Sequence, residues 1–110
     1  MAAKKYAPLK DFVATQSGAR LAPHSGVRDR LVEIAVEEYP LDAPNDRALD
    51  VLKARMRIRI KQEYGSVVAM ILISILANLV ARAIWEWIKK RRSHRELVSC
   101  WQEQARAKEG

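Results

Sequence analysis

Few residues of this chain are of types that do chemistry, and their spacing does not combine them. His24 and His94 are isolated, with no second metal ligand three or four residues away, so neither begins a zinc site. Cys100 is the only cysteine, which excludes an intrachain disulfide and a cysteine-rich metal module. With no CxxC partner it reads as a small packed or interfacial residue rather than a nucleophile. Glu86 stands between Trp85 and Trp87, but Arg82 and Lys90 are each four residues away, the spacing of a helical ion pair. No GxxxxGK[ST] or GxGxxG phosphate loop occurs. The chemistry the residues allow is therefore pairing and packing. The expectation is a protein that is not an enzyme, with no metal, no cofactor and no small-molecule substrate.

The elements must then carry the function. A chain of 110 residues makes one domain at most. Its net charge of +7 is unevenly placed. Lys4, Lys5, Lys10 and Arg20 enrich the start. Acids dominate residues 26–50. Basic residues return on both sides of one apolar stretch, as Arg55, Arg57, Arg59 and Lys61 before it and Lys89, Lys90, Arg91 and Arg92 after it. A basic protein seeks nucleic acid or anionic lipid, and the position of the charge chooses between them.

Four segments follow. Residues 1–25 hold Pro8, Gly18 and Pro23 and no sustained period, so they read as a basic extended or disordered arm. They lack the apolar run of a secretory signal. Residues 26–45 read as a short amphipathic helix and turn. Val27, Leu31, Ile34, Ala35 and Tyr39 fall at helical spacing, and Pro40 ends the run. Residues 46–92 read as one long helix, with Asn45 as its cap. Within it, Arg55-Met56-Arg57-Ile58-Arg59-Ile60-Lys61 alternates as a strand would. No second strand pattern exists to pair with it, so helix is preferred. Residues 93–110 open on Ser93-His94-Arg95-Glu96, a capping-box pattern, and read as a second amphipathic helix.

The segment at about 64–88 dominates the reading. From Tyr64 through Ala81 it carries no charge. Tyr64 at one end and Trp85 and Trp87 at the other suit membrane-interface belts. Their separation as a helix is about 31 Å, close to the thickness of a hydrocarbon core. Arg82 lies one turn inside, where its stem can snorkel. The expected fold is all-α: a single membrane-spanning or deeply buried helix flanked by amphipathic helices.

Two rows run along this helix. Ser66, Ser74 and Asn78 lead into Arg82 and Glu86. Beside them run Gly65, Ala69, Ala77 and Ala81. In lipid, small residues admit close backbone approach and Asn or Ser bonds across, so Gly65, Ala69, Ser74, Ala77, Asn78 and Ala81 form the expected helix–helix interface. Tyr64, Arg82, Trp85 and Trp87 are the expected interface anchors. Arg55, Arg57, Arg59, Lys61, Lys89, Lys90, Arg91 and Arg92 are the expected contacts to anionic headgroups or phosphate.

The expected partners are a bilayer with anionic headgroups and either further copies of the chain or other assembly proteins. Nucleic acid is the less favoured partner, because neither a recognition helix nor stacking aromatics accompany the basic row. The general shape resembles small bacterial or phage membrane proteins. The expected role is structural, within an inner-membrane or virion-type assembly. A holin-like permeabilising protein and a helical subunit buried by partner chains are the alternatives. The flanking charges tie, so they set no orientation across a membrane.

Overall fold

Pro40 and Gly65 stand at two of the breaks between helices. A computed structural model describes residues 6–17, 25–65 and 67–109. It contains α1 (Ala7–Ser17), α2 (Ser25–Glu38), α3 (Asn45–Tyr64), α4 (Val67–Lys90) and α5 (Arg92–Glu109). No strand occurs among the described residues, so the all-α expectation holds.

Part of the expected extended arm is ordered. Tyr6, Leu9 and Val13 recur at three- and four-residue spacing and are buried. Residues 1–5 and 18–24 of that arm, His24 among them, lie outside the described residues. The next helix, α2, is buried on a wide arc by Leu31, Val32, Ile34, Ala35 and Val36, because other helices cover it on several sides. Tyr39 and Pro40 end it. In the turn that follows, the Ala43 N–H donates to the Pro40 carbonyl at 3.1 Å.

Pro44 caps α3, rather than Asn45. Its carbonyl accepts from the N–H groups of Arg47 and Ala48 at 3.0 and 2.9 Å. Ala48, Leu52, Met56 and Ile60 are buried along α3 at a strict spacing of four. The alternating stretch is thus helical: Met56 and Ile60 point inward, and Ile58 points out.

The long helix expected over 46–92 is broken at Gly65. This residue has φ 74° and ψ −163°, and its N–H donates to the Lys61 carbonyl at 3.2 Å. Such a backbone is nearly reserved for glycine. The chain reverses here, and α3 and α4 pack as a hairpin. A second break at Arg91 separates α4 from α5.

Helix α4 is the hub, packed against each of the other four helices. Leu76, Ala77, Val80, Ala81, Ala83, Ile84, Trp87 and Ile88 are buried in the common core. The radius of gyration, 13.2 Å, matches the ~13 Å of a compact chain of this length. Among the described residues no helix is long and apolar enough to cross a membrane. The expectation of a single span over about 64–88 therefore finds no support. The aliphatic side of α4's second half is covered by protein, and Asn78, Arg82, Lys89 and Lys90 are exposed along the rest of it.

Candidate functional site

The residue types that do chemistry are dispersed. Cys100 is a free, exposed thiol on α5. His94 packs flat against Trp87, with ring centroids 3.9 Å apart and planes within 2°. Its Nδ1 lies 2.7 Å from the Trp87 carbonyl oxygen. Trp87 also stacks on Trp101 at 6.2 Å, and Tyr6 meets Trp101 edge-on at 5.2 Å. These four rings join α4, α5 and the residue just before α1 as packing. Arg82 and Glu86 form an outlying pair at 3.7 Å. No cluster of His, Cys, Asp or Glu among the described residues can hold a metal ion.

Ion pairs sort the basic row of α3. Arg59 reaches Glu37 and Glu38 on α2 at 3.3 and 3.4 Å. Arg55 donates to the Glu38 carbonyl at 3.4 Å. Arg30, in the second turn of α2, forks onto Glu63 near the end of α3, with Nε–Oε2 2.9 Å and Nη2–Oε1 2.5 Å. That hydrogen-bonded pairing raises the guanidinium pKa and holds the Glu63 carboxyl below its ordinary value. Arg57 and Lys61 are exposed, and neither forms an ion pair among the described residues. Of the expected α3 contacts, then, two are committed to α2 and two are free.

The free pair lies close to exposed apolar residues. Trp85 Nε1–H donates to the Asn45 carbonyl at 2.9 Å, so the start of α3 lies beside the end of α4 and the two helices run antiparallel. The hairpin tip at Gly65 is therefore the opposite end of the molecule. Four large hydrophobics of the tip half are open to solvent: Ile58 59%, Tyr64 41%, Val67 68% and Ile75 64% exposed. Burial raises the Tyr64 phenol pKa, and the neighbouring Glu63 charge adds to the effect. Arg57 and Lys61 lie one and three residues from Ile58 on α3 and are exposed as it is. From Tyr64 to Trp85 the sequence holds no acid at all.

The other expected residues take different places. Ala77 and Ala81 are buried, with their close packing made inside the chain. Asn78 is exposed on the outer side of α4, beside Ile75 and Arg82. The side-chain surroundings of Ala69 and Ser74 lie outside the described residues. Trp85 is half-buried, and Lys89 Nζ sits 4.2 Å from its ring centroid. Trp87 belongs to the aromatic stack. Lys89, Lys90, Arg91 and Arg92 are exposed at the corner between α4 and α5.

A further cleft of about 400 Å³ opens between the 39–44 turn, α3 and α5. Glu37, Asp42 and Glu103 line it together with Arg55, Arg106 and Tyr39. Its charges are mixed, and the buried Gln102 at its floor is spent on the Val36 and Tyr39 carbonyls, both at 2.9 Å. The tip is the more sharply defined surface. The sequence reasoning missed Ile58, Val67 and Ile75 as exposed groups. The strict alternation around Ile58 was the visible sign, since a helix cannot bury Met56, Ile58 and Ile60 on one face.

No protein-family model, curated protein or solved structure matches this chain.

Proposed function

We propose that this protein is a small structural anchor that acts by binding and docks the tip of its α3/α4 hairpin on an anionic membrane surface. One observation carries the reading: Ile58, Tyr64, Val67 and Ile75 are exposed in the tip half of the molecule, and Arg57 and Lys61, close to Ile58 on α3, form no ion pair among the described residues. Apolar groups rimmed by bases suit the boundary between headgroups and acyl chains. Four of the five exposed large hydrophobics among the described residues are in the tip half, Leu97 on α5 being the other, and such a concentration suits a site of attachment.

The magnitudes make such docking reversible. A base near an anionic leaflet is worth about 1 kcal/mol. Burying an exposed aliphatic side chain is worth about 1.5–3 kcal/mol at most. Neither contribution alone holds a protein on a bilayer, so both are needed together. Docking by the tip also leaves Leu76 to Ile88 in the core. A spanning or holin-like form would first have to strip that helix half from its neighbours.

Flotation with vesicles tests the reading. The chain is expected to float with vesicles of phosphatidylcholine and phosphatidylserine, and to stay behind with phosphatidylcholine alone or at high salt. Ile58→Ser and the double change Arg57→Gln, Lys61→Gln should each release it. Equal flotation on neutral vesicles, or flotation untouched by these changes, overturns the reading. Release of an entrapped dye on binding would instead favour the permeabilising alternative.

A further inference from the structure

We propose that Gly65 is a hinge at which two copies of this chain exchange α4 and α5, so that α3 and α4 of each copy become one continuous helix. Only two residues separate Tyr64, the last of α3, from Val67, the first of α4. The φ of 74° and ψ of −163° at Gly65 lie where glycine alone sits at ease. A Cβ added there would meet nothing within 4 Å, so only the backbone conformation makes this position require glycine.

The flanking sequence is built to close the break. No proline follows Pro44, and helix-forming residues run up to Tyr64 and on from Val67. With Gly65 in helical geometry, residues 45–90 would form one rod of about 69 Å. The widest extent of the folded chain is 34 Å. A lone chain in the rod form would tear Leu52, Met56 and Ile60 away from Leu76, Val80 and Ile84, which the shared core forbids. A second copy restores each of these contacts, because α4 and α5 of one chain pack on α1, α2 and α3 of the other. What differs between the closed and exchanged forms is then confined to the hinge and to the new contact between tips.

That new contact has suitable chemistry. In the exchanged pair the two tips meet at the hinges, and Tyr64 and Val67, beside Gly65, are brought against the other copy. Lys61, four residues from the hinge, approaches its counterpart. Their repulsion favours the closed monomer at low salt and fades as salt screens it. If the tip is the membrane-docking surface proposed above, exchange covers the part of it beside the hinge; that consequence alone rests on the docking reading.

Light scattering coupled to gel filtration, on the full chain at matched concentrations, tests the exchange. Gly65→Ala strains the turn of the closed form and favours the helix at both hinges. It should raise the dimerisation constant at least about tenfold per hinge, on the order of a hundredfold for the pair. Its dimer fraction should grow with salt. Inserting Gly-Ser-Gly after Gly65 lets each chain turn back on itself and should return a monomer. A folded Gly65→Ala protein that stays monomeric at every concentration overturns the proposal. So does an inserted variant that dimerises as strongly as Gly65→Ala. Should Gly65→Ala fail to fold, the comparison passes to concentrated wild type, whose dimer the insertion must abolish; a dimer that survives it overturns the exchange. None of these readouts involves lipid, so a failure of vesicle binding leaves them decisive.

Discussion

Arg30 and Glu63 join the second turn of α2 to the last turn of α3 through two hydrogen bonds, 2.5 and 2.9 Å long. This clasp sits at the tip end of the molecule, next to the break at Gly65. It also neutralises the only acid of residues 51–85. The tip keeps its positive charge because Glu63 is spent on α2 rather than on Arg57 or Lys61.

The clasp makes stability depend on pH at the acid end. Arg30 holds the folded Glu63 carboxyl below its ordinary value of 4.5. A depressed carboxyl stabilises the fold above its unfolded value, and the gain is lost as pH falls through the folded value. The loss therefore falls below about pH 4.5, and neutral pH is unaffected. Both side chains are about one-third exposed, so screening limits the contribution to about 1 kcal/mol or less. In Glu63→Gln, melting temperature should fall less steeply between pH 5 and pH 3 than in wild type. Parallel acid slopes in the two proteins would show that the clasp carries no stability.

Met56 and Ile58 separate the helical from the strand reading of the alternating stretch. Met56 is fully buried, and Ile58 is 59% exposed. Met56→Ala should cost about 2–5 kcal/mol in denaturant unfolding, as for other large core side chains. Ile58→Ser should change folding by no more than about 0.5 kcal/mol, as surface changes do. A larger loss at Ile58 would mean that the alternation forms a paired strand.

Much of the fold was legible, and the misreadings have a physical cause. Pro40 ended α2 where the sequence placed its end, and Val27, Leu31, Ile34 and Ala35 marked its inner face. The uncharged run from Tyr64 to Ala81 reports only that the surroundings are apolar. Four neighbouring helices supply such surroundings for α4's second half as well as lipid does. Gly65 was ambiguous because a single glycine is tolerated inside a helix, and only its backbone angles reveal a turn. The candidate site was half legible. The basic row was plain, but Arg59 and Arg55 are engaged by Glu38, and Arg59 also by Glu37, partners distant in sequence that no local spacing indicates.

Leu76, Ala77 and Asn78 are consecutive on α4, and their substitution distinguishes a helix packed in this fold from one that packs on other chains. Were α4 a lipid-embedded helix meeting a partner through its small and polar rows, Leu76→Ala would do little and Asn78→Leu would weaken assembly. The fold predicts the reverse order for stability. Leu76 is buried, so Leu76→Ala leaves a cavity and should cost about 2–5 kcal/mol. Ala77 is buried against neighbouring helices, so Ala77→Leu overpacks the core and should cost about 1–3 kcal/mol. Asn78 is exposed, so Asn78→Leu should leave unfolding within about 0.5 kcal/mol of wild type. Urea titrations followed by circular dichroism measure all three. Unchanged stability for Leu76→Ala, together with a clear loss for Asn78→Leu, would turn the polar side of α4 inward. That outcome would reverse the orientation of the hub helix on which the other four are packed.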